Sequence, residues 1–239
     1  MEQPNLVLIP TPIGNLSDMT PRAQEVLRDV DCVLAEDTRT TGNLLRHFEI
    51  STPLRAFHAH NEHKVVEGLV RQMETGTRFA LCSDAGTPAI SDPGFLLVRA
   101  AVAAGLEVSC LPGPTAFVPA LAASGIPCDR FVFEGFLPHK KGRKTRIEAM
   151  LERLETSVLY ESPHRIEKLL DAFIDGGAGE RAISVSREIS KLHEEHRRGT
   201  VREVRASFVE SGPRGEFVVV LGGRDGSEKS ASEKPAVEV

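Results

Sequence analysis

Short apolar runs alternate with amphipathic segments through the first half of the chain. The apolar runs predict five strands, at 5–10, 32–35, 54–57, 78–82 and 107–111. The segments between them predict helices that start at Thr20-Pro21 and that cover 40–48, 61–75 and 92–104. Because short, wholly apolar strands that alternate with helices are typical of a parallel sheet covered on both faces, we expect an α/β domain.

The pattern changes after residue 124. Strands are predicted at 131–136, 157–160, 182–186 and 216–221, with helices near 140–155 and at 163–174 and a charged segment at 187–205. We therefore expect two α/β domains, an N-terminal one with a largely parallel sheet (1–124) and a C-terminal one with a mixed sheet (125–223). The last residues, 224–239, contain almost nothing apolar, and we expect them to form a disordered tail.

Composition narrows the possible classes of protein. The chain has 239 residues, a formal net charge of −5 and only 5% aromatic residues, so any RNA contact depends on local clusters of Lys and Arg. The four cysteines form no CxxC pair, which favours buried thiols in a reducing compartment and predicts no metal site. We see neither a signal peptide nor a membrane-length apolar run, so we expect a cytoplasmic protein without a membrane partner.

Three loops rich in Gly and Pro follow predicted strands, at 10–15, 83–94 and 112–116. Ligands of open α/β sheets bind outside the carboxyl ends of the strands, where these loops lie. Glycine permits close approach of a ligand to backbone, and proline fixes the shape of a loop. One such loop is more often a plain turn, but three at one sheet edge predict a ligand site. The signatures GxGxxG, GxxxxGK[ST], HExxH and GxSxG are absent from the sequence.

These loops resemble those of the tetrapyrrole-methylase-like superfamily. The resemblance is carried by PTPIGNL at 10–16, EDTR at 36–39, SDAGTPAISDPG at 83–94 and LPGP at 111–114. Within the superfamily, the motifs most resemble the ribosomal RNA branch, the 16S rRNA cytidine 2′-O-methyltransferases. The second half agrees, with FLP at 136–138, ESPHR at 161–165 and REISK at 187–191. The resemblance covers about residues 5–223.

The resemblance implies a two-domain fold that binds S-adenosylmethionine in the cleft between its domains. It also implies a homodimer, and small-subunit ribosomal RNA within the 30S subunit as substrate. It also implies the donor contacts in the first domain, which are Pro12, Ile13, Gly14, Asn15, Asp84, Ala85, Gly86, Thr87, Ser91, Thr115 and Ala116. In the second domain it implies contacts from Tyr160, Ser162 and Phe217. The reaction expected is methyl transfer to the ribose 2′-hydroxyl of a cytidine.

Charged residues supply the remaining candidates. Five of seven residues at 140–146 are basic, which favours phosphate contacts by Lys140, Lys141, Arg143, Lys144 and Arg146 over a merely solvated helix face. A second, more mixed cluster comprises Arg187, Lys191, Arg197, Arg198, Arg202 and Arg205. Lys191 and Asp37 are the candidates for the base that accepts the hydroxyl proton. For the lysine this requires a lowered pKa.

Two other functions remain open from the sequence. One is C-methylation of a tetrapyrrole, the reaction for which the superfamily is named. The other is a non-catalytic module that binds RNA or senses a ligand. The basic segment argues against the first, and the three intact loops argue against the second.

Overall fold

The computed structural model describes residues 4–209 and 212–224. The chain divides into two units, Met1–Ala116 and Phe117–Val239. The division falls after Ala116 and not after Ser124 because a short helix, α5 (Phe117–Ala122), packs on the strands of the second unit. The expected tail at 225–239 lies outside the described residues.

The first unit is built on a five-stranded parallel sheet, as predicted. Its strands are β1 (Leu6–Leu8), β2 (Cys32–Ala35), β3 (Leu54–Ala56), β4 (Phe79–Cys82) and β5 (Val108–Cys110), in the order β3-β2-β4-β1-β5. The connecting helices are α1 (Pro21–Asp29), α2 (Thr38–His47), α3 (Glu62–Glu74) and α4 (Phe95–Ala103), with a 3₁₀ turn at Leu16–Asp18.

Alternating side chains of these strands enter two separate cores. Val7 and Ala80 pack with residues of α1 and α2, including Leu27. Leu6 and Leu81 pack on the other face with residues of α3 and α4. Both faces are thus covered, which explains why the strands are apolar throughout instead of alternating with polar residues.

The second unit has a mixed five-stranded sheet. Its strands are β6 (Phe131–Phe136), β7 (Thr156–Glu161), β8 (Ala182–Arg187), β9 (Glu195–Thr200) and β10 (Phe217–Leu221), in the order β6-β7-β10-β8-β9. Only the β6–β7 pair is parallel. The helices are α6 (Arg143–Glu152), α7 (Ile166–Phe173), which continues into a π-helical turn at Ile174–Ala178, and α8 (Val201–Ser207).

One face of this sheet is covered by α6, α7 and α8, whose buried residues form a single core with Leu159, Val185 and Val219. The charged segment at 187–205 contains β9 and most of α8, neither of which the sequence pattern predicted. β9 lies at the sheet edge and has no apolar residue, so it lacks the pattern of a strand. None of the helices in the described part of the chain is long and apolar enough to cross a membrane.

α4 begins three residues later than predicted, because the loop before it adopts left-handed backbone conformations. Gly94 has a φ of +141°, and a Cβ built there would lie 2.9 Å from Leu81 Cδ2. Gly105, which follows α4, also has a positive φ (+72°), but a Cβ there would meet no atom within 4 Å.

We expect Gly94→Ala to lower the free energy of unfolding by about 2 kcal/mol, because backbone strain and the collision with Leu81 add. Gly105→Ala, which has the strain without the collision, should cost about 1 kcal/mol. Urea unfolding followed by circular dichroism measures both. If the two variants lost the same free energy of unfolding, the side chain of Leu81 would be able to move away from the new methyl group without destabilising the fold.

Candidate functional site

Loops that follow β1 and β4 are joined at the carboxyl edge of the first sheet. Thr11 and Gly86 exchange backbone hydrogen bonds, each with an N···O distance of 2.9 Å. The Thr11 hydroxyl also donates to the carbonyl of Ser83 at 3.1 Å. The connection from β1 leads to one side of the sheet and that from β4 to the other, so this edge is a topological switch point, where ligands of such sheets bind.

The loop after β5 joins the same assembly. The Thr87 hydroxyl donates to the Pro114 carbonyl at 3.2 Å and lies in contact with the Thr115 hydroxyl. Gly113 lies against Pro10, where an added Cβ would approach Pro10 Cβ to 2.7 Å. The three loops that the sequence placed at one edge therefore contact one another directly.

The fourth loop, after β2, is attached through carboxylates. The backbone N–H of Asp37 donates to Asp84 Oδ1 at 3.1 Å, and the N–H of Asp84 donates to Glu36 Oε2 at 3.3 Å. These two hydrogen bonds connect neighbouring strand ends and hold both side chains at the edge of the sheet. The loop that contains Glu36–Arg39 and the loop that contains Asp84 are therefore linked by hydrogen bonds at the edge of the sheet.

Several residues of the Ser83–Gly94 loop have left-handed backbone conformations. Gly86 has a φ of +84° and is buried, with Ile13 and Pro114 next to the position a Cβ would take. Ala89 and Ser91, which do carry side chains, have φ values of 69° and 66°. Because such strain persists only where the surroundings impose it, the loop is a functional candidate.

Carboxylates dominate the electrostatics of this edge. Burial raises the pKa of Asp92 to about 6, repulsion by Glu36 and Asp84 adds to the effect, and a hydrogen bond with Ser83 opposes it. Burial also raises the pKa of Glu36. A hydrogen bond from the Asp84 backbone opposes this increase, and repulsion by the Asp84 carboxylate adds to it. The edge therefore attracts cations, and the pKa of Asp92 lies above that of an ordinary aspartate.

The two residues predicted as bases have different electrostatics. Hydrogen bonds from the Arg39 side chain and backbone lower the pKa of Asp37 to about 2, and Asp37 also caps α2. Burial would lower the pKa of Lys191, but hydrogen bonds to Glu216 (2.8 Å) and Glu188 (3.0 Å) outweigh it and raise that pKa. A strongly acidic carboxyl and a stabilised ammonium are both poor bases, although the roles themselves stay predictions. Sequence reasoning gave Asp92 no role because burial and its neighbours are visible only in the fold.

Donor contacts predicted in the second unit lie at one end of β7 and β10. Phe217 pairs with Glu161, and Tyr160 with Val218, so Phe217 and Tyr160 point to opposite faces of the sheet. Phe217 is only 2% exposed and belongs to the helix-covered core. Tyr160 packs on Phe133 and Phe136, and Ser162 follows the strand. The structure thus does not bring the side chains of Tyr160 and Phe217 together.

The basic segment at 140–146 divides into free and engaged side chains. Arg143 pairs at 2.8 Å with Glu161, whose side chain is fully buried and which also pairs with Arg165 at 2.8 Å. Arg146 pairs with Glu134 at 2.8 Å, and Lys144 lies 3.7 Å from Glu148. Lys140 and Lys141 are exposed, and neither has an ion pair within residues 4–209 and 212–224. These two lysines are the members most available to a phosphate.

Comparisons with known proteins agree with this geometry. The family model for Tetrapyrrole (Corrin/Porphyrin) Methylases matches residues 5–205. Ribosomal RNA small subunit methyltransferase I of Synechocystis sp. is 48% identical over 219 residues, covering 91% of this chain and 78% of that protein. The protein of the same name from Thermotoga maritima is 41% identical over 220 residues, covering 92% and 99%. The chain belongs to the ribosomal RNA small subunit methyltransferase I family.

Solved structures with this fold include more distant methyltransferases. The methyltransferase CobJ has a TM-score of 0.66 at 18% identity, covering 94% of this chain and 98% of that one. Uroporphyrin-III-C-methyltransferase from Thermus thermophilus has a TM-score of 0.62 at 22% identity, covering 92% and 94%. The predicted tetrapyrrole methylase-like fold, with a parallel and a mixed sheet, is confirmed. Among the residues that the structure describes, no group of three His, Cys, Asp or Glu side chains could hold a metal ion.

The raised pKa of Asp92 predicts an effect of pH on stability. The ordinary value is 3.8 and the folded value about 6, so folding favours the protonated carboxyl. Its ionisation therefore lowers the free energy of unfolding by the full amount above about pH 6 and has no effect on it below about pH 4. We expect Asp92→Asn to raise the free energy of unfolding at pH 7.5 by about 1 kcal/mol, after allowance for solvent screening.

Urea titrations from pH 4 to pH 8 measure this difference. Asp129→Asn, at an exposed carboxylate, is the control and should leave stability unchanged. A benefit of Asp92→Asn that persists undiminished at pH 4 would refute the assignment.

Proposed function

We propose that this protein transfers a methyl group from S-adenosylmethionine to the ribose 2′-hydroxyl of a cytidine in 16S ribosomal RNA. The observation that carries the proposal is the joining of four strand-end loops at one edge of the parallel sheet, in a member of a methyltransferase family. Relatives named for ribosomal RNA of the small subunit support the substrate.

The chemistry of the edge fits the donor. S-adenosylmethionine carries a sulfonium and an ammonium group, and its ribose and adenine offer hydrogen-bond donors. The carboxylates of Glu36 and Asp84 can accept hydrogen bonds from the ammonium, ribose and adenine groups and can attract the sulfonium. Gly14, Asn15 and Ala85 are exposed, so a ligand can approach them closely. A dinucleotide with a pyrophosphate would instead meet like charge at this edge, which supports the sulfonium donor over nucleotide cofactors.

Methyl transfer from a sulfonium is an in-line displacement, so the protein mainly aligns the hydroxyl oxygen, the methyl carbon and the sulfur. The attacking hydroxyl must lose its proton during or after the step. An acceptor with a pKa near the working pH is best suited to receive it, and Asp92 has such a pKa at the donor edge. Asp92 thus joins Lys191 and Asp37 as a candidate for the proton acceptor.

A homodimer, which the family resemblance implies, and a cytoplasmic location, which the cysteine pattern favours, complete the proposal. α4 supports a dimer because Phe95 and Val102, which are seven residues apart and therefore on one face of the helix, are each 61% exposed. Sedimentation equilibrium gives the mass directly.

The decisive experiment supplies labelled S-adenosylmethionine to small subunits from a strain that lacks this protein. We expect label in 16S RNA, at the ribose of one cytidine. Naked 16S RNA and uroporphyrinogen are assayed beside the subunits. Label on the tetrapyrrole alone would replace the proposal with C-methylation, and donor binding without transfer to any acceptor would indicate a non-catalytic module.

We expect Gly86→Val to abolish donor binding, because the side chain would enter the junction between Ile13 and Pro114. Gly76→Val is the matched control. Gly76 also has a positive φ (+98°) but meets no atom within 4 Å and lies at the end of α3. Calorimetry with S-adenosylmethionine measures affinity, and circular dichroism checks folding. Native affinity in folded Gly86→Val would remove this loop from the donor site.

We expect the double variant Lys140→Ala/Lys141→Ala to weaken RNA binding and spare donor binding. Each lost phosphate contact should flatten the log–log salt dependence by about 0.7 for single-stranded RNA. Lys64→Ala/Lys168→Ala removes two exposed lysines elsewhere and serves as the control. An unchanged slope would show that the two lysines only solvate the surface.

A further inference from the structure

The side chains of the second basic cluster fall into two groups, those with partners elsewhere in the fold and those that line one cleft. Four of its six members are engaged elsewhere. Lys191 pairs with Glu188 and Glu216, Arg198 donates to the Ala123 carbonyl, Arg202 pairs with Glu180, and Arg205 pairs with Glu167 and Asp171. The remaining two, Arg187 and Arg197, both line a single cleft of about 490 Å³ within the second unit.

A third guanidinium joins them, which sequence reasoning missed because it lies outside the cluster. Arg214, in the loop before β10, lines the same cleft. Its side chain is exposed and makes no hydrogen bond or ion pair with any residue within 4–209 and 212–224. Its backbone carbonyl accepts from Arg187 Nε at 2.8 Å, which fixes the loop beside the end of β8.

The other two arginines are held in place. Arg197 Nε donates to Glu195 Oε1 at 2.8 Å, its Nη1 donates to the Ser207 carbonyl at 2.9 Å, and its guanidinium lies 4.4 Å from the centre of the Phe208 ring. Arg187 Nη1 shares Glu195 at 3.4 Å. Hydrogen bonds from Arg197 lower the pKa of Glu195, so this carboxylate stays ionised.

Three guanidiniums and one carboxylate leave the cleft with an excess of positive charge in an acidic chain. Guanidinium groups bind phosphate through paired N–H donors, and a volume of this size falls in the range of ligand pockets. The aromatic rings of Phe208 and Phe217 form its floor but are almost fully buried, so they offer little surface for base stacking. The chemistry is therefore that of a phosphate site.

We infer that this cleft binds a backbone phosphate of the RNA substrate, with the exposed Arg214 as the direct ligand and with the held guanidiniums of Arg187 and Arg197 supplying positive charge beside it. The inference rests on the proposed function for the identity of the RNA. It adds a phosphate contact separate from the lysines at 140 and 141, and so assigns a role to the second basic cluster.

The test measures RNA binding by fluorescence anisotropy in the full-length protein, with a 16S RNA fragment that contains the methylated cytidine. We expect Arg214→Ala to raise the Kd about two- to fivefold, the range for an exposed ion pair, and to flatten the salt slope by about 0.7. Arg214→Glu should weaken binding further. Both should fold normally, because the side chain is exposed.

Arg202→Ala is the matched control, since it removes a neighbouring arginine on α8 that pairs with Glu180 outside the cleft. It should leave the Kd and the slope unchanged. Native RNA affinity in both Arg214 variants would overturn the inference, as would an equal loss in Arg202→Ala. Methyl transfer by the native protein is measured in parallel, so that failure of the proposed function is recognised separately.

Calorimetry with inorganic phosphate and with cytidine monophosphate distinguishes the sources of the phosphate. We expect neither to bind at micromolar concentration, because an RNA strand adds contacts beyond one cleft. Tight binding of a free mononucleotide that Arg214→Ala abolishes would overturn the assignment to RNA and indicate a small-molecule site.

Discussion

The reciprocal hydrogen bonds between Thr11 and Gly86 are the constraint on which the first unit's site depends. They join the ends of two adjacent parallel strands whose connections leave in opposite directions. Without this bridge, a crevice at the switch point would be bordered by two independent loops. With it, the loop after β5 can attach through Thr87 and the loop after β2 through Asp84. Gly86 is needed at the junction because the left-handed backbone there is unfavourable for other residues.

In the second unit, a buried carboxylate links neighbouring segments, as the Thr11–Gly86 hydrogen bonds do in the first. Glu161 ends β7 with its side chain fully buried, and Arg143 and Arg165 both pair with it. Removing either guanidinium would leave a buried charge less compensated, which is costly. Arg143 is therefore tied to the fold in a way that Lys140 and Lys141 are not. A basic run in the sequence can thus combine side chains that are engaged in the fold with side chains that are available to a ligand, and only the partners of each side chain distinguish the two kinds.

The sequence predicted the elements whose apolar pattern is strong. β2 and β6 have the predicted bounds, because each is a compact run with clear breaks on both sides. β9 was missed because an edge strand of charged residues lacks the apolar pattern of a strand. α8 was missed although Thr200 and Glu203 form a capping box, a sequence signal that marks the start of a helix. The loops of the site were predictable because Gly and Pro mark them. The raised pKa of Asp92 and the convergence of Arg214 with Arg187 were not, since both depend on residues distant in sequence.

The distribution of charge explains how an acidic chain can still present a surface that suits an anion. A net charge of −5 would oppose binding if it were spread evenly. In the structure, Glu36, Asp84 and Asp92 gather at the loops of the first unit, whereas the exposed Lys140 and Lys141 and the arginine cleft belong to the second. A cationic ligand and an anionic ligand need opposite surroundings. Because the acidic loops and the basic residues belong to different sheets, substitutions that change the affinity of one surface for a cation need not change the affinity of the other for an anion.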